Sequence, residues 1–153
     1  MYMHKPIEAK IVNPLLGNSI QLPNYATSGS AAMDLRACIE EPVTIPSRGR
    51  HLFPSGIAFN MQDTNMMAMI GSRSGLALKH GLRAHPGVID SDYHGELGIL
   101  LHNDGEEAYT VNPGDRIAQL IFQPIFRAEL NIVENFSTET DRGVGGFGST
   151  GTK

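Results

Sequence analysis

The chain predicts an all-β subunit, a barrel or a sandwich, with a single short helix. Three observations carry that reading. The 17 glycines and 9 prolines are spread along 153 residues and cut them into short segments. Most of those segments are apolar or alternate apolar with polar residues, and one stretch alone, residues 71–81, has the composition of a helix. A chain of this length forms one domain that buries roughly two-thirds of its unfolded surface. Its one cysteine, Cys38, excludes an internal disulfide framework and a cysteine-based zinc site, and it points to a reducing, cytoplasmic setting. No run of eighteen apolar residues occurs and no signal-peptide core opens the chain, so a soluble, untargeted protein is expected, with no membrane partner. A net charge of −4 argues against an extended nucleic-acid surface but leaves room for a small anionic ligand met by a local cluster of donors.

In order, residues 7–12 read as the first strand, followed by turns at Asn13-Pro14 and Gly17-Asn18 and a loop at residues 27–30. Residues 32–39 alternate, with Met33, Leu35, Ala37 and Ile39 on one face and Asp34 and Arg36 on the other. Bare spacing makes those two charges a solvent-facing ion pair. Residues 43–45 and 51–53 are strands about a turn at 46–49, and residues 57–59 and 66–70 are two more, the last filled with adaptable methionines. Serine cap candidates, a Leu/Ala/Lys middle and terminal Gly81 then make residues 71–81 the helix. Its strand-to-helix turn, with Arg73, Ser74 and free backbone N–H groups, is either simple capping or an anion site.

The chain is organised around residues 87–103. Pro86-Gly87 signals a turn, glycine accepting φ > 0 at its second central position. Val88-Ile89 forms a short strand, Asp90-Ser91-Asp92 leads to Tyr93, and residues 96–102 form a longer, more buried strand. Two carboxylates and an aromatic ring are thereby expected on a hairpin, as a loop cap or as a pocket floor with one Asp aimed at a reacting water. Beyond it lie a strand at 108–111, a tight turn at 112–115 and a strand at 116–122. On that strand Gln119 shares the parity of Ile117 and is expected to face inward with it. Strand-like signals persist to Phe136, and from Ser137 the composition shifts to Ser, Thr, Asp and Gly, which divides the chain into a domain at 1–136 and a mobile, glycine-rich arm at 137–153. Residues 143–150 come close to G-x-x-x-x-G-K-[ST] without its lysine, so the arm offers N–H groups for phosphates and one aromatic, Phe147, to cover a base.

Five segments in order resemble the five motifs of the trimeric dUTP pyrophosphatases: Ala32-Met33-Asp34-Leu35-Arg36-Ala37, Arg73-Ser74-Gly75-Leu76-Ala77, Gly87-Val88-Ile89-Asp90-Ser91-Asp92-Tyr93, Gly114-Asp115-Arg116-Ile117-Ala118-Gln119-Leu120-Ile121 and Arg142-Gly143-Val144-Gly145-Gly146-Phe147-Gly148-Ser149. The resemblance covers nearly the whole chain. It implies a jelly-roll subunit and a homotrimer with three active sites at subunit interfaces, each completed by a neighbour's arm. It implies hydrolysis of dUTP to dUMP and pyrophosphate, which limits uracil in DNA and supplies dUMP for thymidylate synthesis. By the same resemblance Asp90 activates the water that attacks the α-phosphorus, Tyr93 packs on the deoxyribose, and backbone around Val88, Ile89 and Gly98 reads the uracil edge. Arg73, Ser74, Gly75 and Gln119 hold phosphate oxygens, with Arg142, Phe147, Gly148, Ser149 and Thr150 of the arm closing over substrate. Mg²⁺ bridges the phosphates, held mainly by them and by water, with Asp34 helping to order the site. Such a set suits phosphoryl transfer, where positioning and charge neutralisation do most of the work.

The chain departs from the family pattern at Ser72, where proline is usual, and at His85-Pro86, where glycine or asparagine is common; a stiffer hairpin tip with uracil selectivity kept is expected. His94-Gly95-Glu96 fits half of a zinc deaminase signature, whose P-C-x-x-C half is impossible with one cysteine. The alternatives are a relative of the metal-free dCTP deaminases and a nucleotide-sensing module that controls a regulatory protein partner.

Overall fold

The computed structural model describes residues 5–146. Among them the chain forms twelve short strands and one helix. The strands are β1 (Glu8–Ile11), β2 (Asn24–Tyr25), β3 (Met33–Arg36), β4 (Val43–Ile45), β5 (Arg50–Pro54), β6 (Ile57–Asn60) and β7 (Met66–Gly71). Helix α1 (Ser74–His80) follows, and then β8 (Leu82–Ala84), β9 (Gly87–Ile89), β10 (Gly98–Asn103), β11 (Tyr109–Val111) and β12 (Arg116–Pro124). All their pairings are antiparallel: β2-β3-β12-β7-β9, β5-β10-β8, β1-β6 and β11-β4. This is the all-β class that the segment pattern predicts, consistent with the jelly roll that the family resemblance implies.

The core lies between these sheets. Phe53, Leu35, Leu101, Ile99, Leu82 and Leu120 are fully buried within it. Strand β10 shows why period-2 patterning places them: Ile99, Leu101 and Asn103 point in, while Leu100 and His102 are half-buried. Asn103 is tolerated because its amide is satisfied. Its Nδ2 donates to the Ile45 and Glu107 carbonyls at 3.1 and 2.8 Å, and its Oδ1 accepts from Gly105 N–H at 3.0 Å. Cys38 is buried and free, and burial pushes its thiol up.

Four local expectations are corrected. The helix begins at Ser74 with Arg73 as N-cap and no side-chain cap bond, and the Ser72 hydroxyl donates instead to the Ala84 carbonyl at 3.2 Å. Ser72 therefore ties the turn to β8, a strand the sequence pattern did not separate. At the other end Gly81 does adopt the left-handed conformation, φ 69°, and its N–H returns to the last helical turn. Gly87 does not take a positive φ; it opens β9 directly. Finally, β9 and β10 do not pair as a hairpin: β9 is the edge partner of β7, and β10 joins β5 and β8 in another sheet. Residues 90–97 are a crossing between sheets, because Leu97 drops into the core and bonds to the Ile57 carbonyl before β10 begins.

Candidate active site

One end of the five-stranded sheet gathers charge. Asp34 on β3 lies opposite Gln119 on β12, and Gln119 lies opposite Gly71 on β7, so the three form a row across adjacent strands. From Gly71 the chain turns through Ser72 and brings Arg73 back over the row. Asp34 Oδ1 lies 3.4 Å from Arg73 Nε, and Asp34 Oδ2 accepts from Arg116 Nη1 at 3.1 Å. Arg73 Nη1 also donates to the Arg116 carbonyl at 2.9 Å. Asp34 is thus buried under two guanidiniums and is not half of a solvent-facing pair with Arg36. The Arg36 guanidinium is committed to the Gly114 carbonyl and Gln21 Oε1.

A bulge makes this row possible. The β12–β3 register shifts between Arg116 and Ala118, so that Ile117 and Ala118 are both buried and Gln119 falls on the opposite face. The expected inward Gln119 is therefore wrong: one extra residue resets the parity that Ile117 sets. Arg116 and Gln119, three residues apart, come to share the Asp34 face. No strict alternation would allow that.

Beside them, Ser74 and Gly75 are exposed in the first turn of α1, and the Ala77 N–H is the first of the helix to bond back, to the Arg73 carbonyl at 3.1 Å. The amides of Ser74, Gly75 and Leu76 are left without intrahelical partners. Tyr109 flanks the cluster, its ring tilted against His80 at 4.9 Å. Burial, with Asp115 close by, pushes its hydroxyl up against the opposing pull of Arg73.

The second group of candidates sits elsewhere. Asp90 follows β9 and is exposed, and the Tyr93 N–H donates to its carbonyl at 3.1 Å. The Tyr93 hydroxyl donates to the Glu96 carbonyl at 3.0 Å, folding the ring over Gly95. A Cβ at Gly95 would stand 2.5 Å from the hydroxyl oxygen, so a larger residue there would displace the Tyr93 ring from this position. Val88 is 66% exposed. A hollow of about 340 Å³ is lined by Asp90 together with Val88, Met66, Met67, Ile125 and Arg127. Gly98, at the exposed start of β10, lies under the Leu52 side chain.

These two groups are not brought together within one chain. Ile89 is level with Ala68, three residues along β7 from Gly71, and Asp90 follows it outside the ladder. At ~3.3 Å per residue Ile89 is offset ~10 Å along the strands from the Gln119 row. The structure unites Asp34, Arg73 and Gln119, with Ser74 and Gly75 adjacent. It leaves Asp90, Val88, Ile89, Tyr93 and Gly98 apart from them. Arg142 lies in a local turn, its Nε donating to the Gly145 carbonyl at 3.0 Å; Phe147, Gly148, Ser149 and Thr150 fall outside the described residues. The sequence reading assigned no role to Arg116. The signal was the consecutive apolar pair Ile117-Ala118 after it, which breaks strict alternation where the bulge occurs.

The chain is similar to known proteins along nearly its whole length. A family model described as dUTPase matches residues 18–151. A deoxyuridine 5'-triphosphate nucleotidohydrolase of Cronobacter sakazakii is 48% identical over 153 residues, 99% of this chain and all of that protein. One from Escherichia coli is 48% identical over 151 residues, 97% of this chain and 99% of that protein. Among solved structures, a Staphylococcus bacteriophage 80alpha dUTPase with dUPNHPP superposes with a TM-score of 0.85 at 26% identity, covering 97% of this chain and 99% of that one. The chain belongs to the dUTPase family.

Proposed function

We propose that the chain hydrolyses dUTP to dUMP and pyrophosphate as a cytoplasmic homotrimer whose active sites lie between subunits, so limiting uracil in DNA and supplying dUMP. The observation that supports the assembly is that the Asp34–Arg73–Gln119 row and the Asp90 segment stand on different strands, Ile89 being offset ~10 Å along the sheet from the row at strand rise. A site that needs both halves is completed by Asp90 from another copy. Two surfaces fit such an assembly. Phe126, Leu130, Ile132 and Phe136 are 80% exposed or more in a segment without strand partners among the described residues. A groove of about 630 Å³, lined by apolar residues that include Ile7, Ile11, Phe59 and Phe122, has the character to receive them from a neighbour.

In the joined site Arg73, the Ser74 and Gly75 amides and Gln119 hold phosphate oxygens. Asp90 accepts a proton from the attacking water as it approaches the α-phosphorus, and pyrophosphate leaves. Tyr93 stacks on the deoxyribose, and the backbone around Val88, Ile89 and Gly98 pairs with the uracil edge. A cytosine would leave those backbone groups unpaired. The arm at 137–153, with Arg142, Phe147, Gly148, Ser149 and Thr150, closes over the substrate. Among the described residues no three His, Cys, Asp or Glu side chains are placed to hold a metal, and both Asp34 oxygens face guanidiniums. That donor set fits an Mg²⁺ held by phosphates and water with Asp34 near it. When bound, the ion neutralises phosphate charge.

The test is to incubate the protein with Mg²⁺ and, separately, dUTP, dCTP, UTP and dTTP, following pyrophosphate, nucleoside monophosphate and ammonia, with molar mass measured in parallel. Pyrophosphate and dUMP from dUTP alone, by a trimer, is the expected result. Ammonia from dCTP would move the chain to the deaminase branch. Binding of dUTP without turnover would favour a nucleotide sensor.

A further inference from the structure

We propose that His94 is a positioning residue for the Asp90–Tyr93 segment, holding it to the body of the fold through Asn60 and Glu8; this rests on reading Asp90 and Tyr93 as the groups that meet water and sugar. The segment needs an outside hold. Two bonds order Tyr93, one from its N–H to the Asp90 carbonyl and one from its hydroxyl to the Glu96 carbonyl, and each spans three residues. Bonds that short shape the loop without fixing where it stands on the fold.

Strand β6 supplies the hold at both of its ends. Just before it, the Gly56 N–H donates to Glu96 Oε1 at 2.7 Å; on its last residue, Asn60 Oδ1 lies 3.2 Å from His94 Nε2. Asn60 Nδ2 in turn donates to Glu8 Oε2 at 2.7 Å, and Glu8 is the register partner of Asn60 across β1 and β6. The donors run one way. A carboxylate only accepts, so the Asn60 amide turns its NH2 to Glu8, which leaves its oxygen, another acceptor, for His94. His94 Nε2 therefore carries the hydrogen, and the neutral ring is the Nε2–H tautomer. Tyr93 is thus followed by two residues tied to β6, His94 and Glu96, with Gly95 between them leaving room for its ring. The His94-Gly95-Glu96 run has no use as half of a zinc signature; as a pair of tethers each of its residues is engaged. In this role His94 touches no reacting atom and acts through Tyr93 and Asp90.

The experiment compares the full chain with H94A, H94Q, N60A, the double variant H94A/N60A, E8Q and the control N18A, whose side chain bonds the Pro14 carbonyl in an exposed turn. For H94A we expect kcat with dUTP to fall about tenfold while KM changes less than about threefold, because the segment loses its placement and the Asp34–Arg73–Gln119 row is untouched. N60A should match it, and the double variant should lose about tenfold in all, since both changes break one connection. H94Q, whose amide NH2 can donate to the same oxygen, restores most of kcat, and E8Q, whose amide oxygen still accepts from Asn60, stays within about twofold, as does N18A. Independently of activity, NMR should find the neutral His94 ring in the Nε2–H tautomer and the Tyr93 amide exchanging with solvent about tenfold faster in H94A. A folded H94A with unchanged kcat would contradict the proposal, as would losses that multiply in the double variant, an H94Q no better than H94A, or a neutral ring protonated on Nδ1. If the unsubstituted chain does not hydrolyse dUTP, the functional reading fails, and exchange of the Tyr93 amide still decides whether His94 holds the segment.

Discussion

The two halves of the candidate site are built by different means. The Asp34–Arg73–Arg116–Gln119 end is set by long-range pairing: three adjacent strands, one bulge and a shared carboxylate fix its side chains. The Asp90–Tyr93 segment is held by short-range contacts, the Tyr93 amide to Asp90 and the Tyr93 hydroxyl to Glu96, and it stands exposed at a sheet edge. The difference teaches where each half gets its precision. The row is fixed within one chain by long-range partners, whereas the Asp90–Tyr93 segment is fixed directly only by its own near neighbours.

That contrast can be broken most severely at Asp90. Asp90→Asn should lower kcat about a thousandfold while leaving nucleotide binding measurable, because it removes the proton acceptor and not the clamp; single-turnover kinetics alongside a binding titration will show it. Deleting residues 137–153 should lower kcat/KM about a hundredfold with the oligomer and melting curve unchanged, since the arm serves closure. Molar mass and activity measured on one preparation check this. At the preorganised end, Asp34→Asn leaves two guanidiniums facing each other. It should cost about 1–3 kcal/mol, the partly exposed arginines softening the loss, and raise the dUTP KM; urea denaturation reads the first effect and steady-state kinetics the second. The mildest change lies outside both halves. Gly81→Ala forces φ 69° on a Cβ that would sit 2.7 Å from the Gly105 nitrogen, so a cost of about 1–3 kcal/mol with KM unaltered is expected.

Much of this was legible in the chain because it depends on patterns a few residues long. Period-2 alternation located β3 and dense apolar runs located β7 and β10; Pro46–Gly49 and Asn112–Asp115 closed the turns expected of them, with N–H to carbonyl bonds of 2.9 and 3.1 Å; and Gly81 ended the helix. What was not legible depends on pairing across the chain. The Gln119 parity failed because a bulge is set by two strands together, while the sequence shows only one of them. Asp34 read as solvent-facing because its partners lie 39 and 82 residues away. The hairpin at 87–103 failed because β9 and β10 each found a better neighbour, β7 for one and β5 with β8 for the other. The apolar residues up to Phe136 read as strand-like, yet after β12 they form no strand among the described residues and stand exposed.

The measurement that bears most directly on a site shared between copies is complementation. Arg73→Ala and Asp90→Asn, each inactive alone, are unfolded together, refolded at equal concentrations and assayed with dUTP. If each site takes Arg73 from one subunit and Asp90 from another, random mixing gives ~1/4 of sites both intact groups, and about a quarter of the unsubstituted activity returns. If both residues serve a site within one chain, no mixed assembly holds an intact site, and the mixture stays as inactive as its parts.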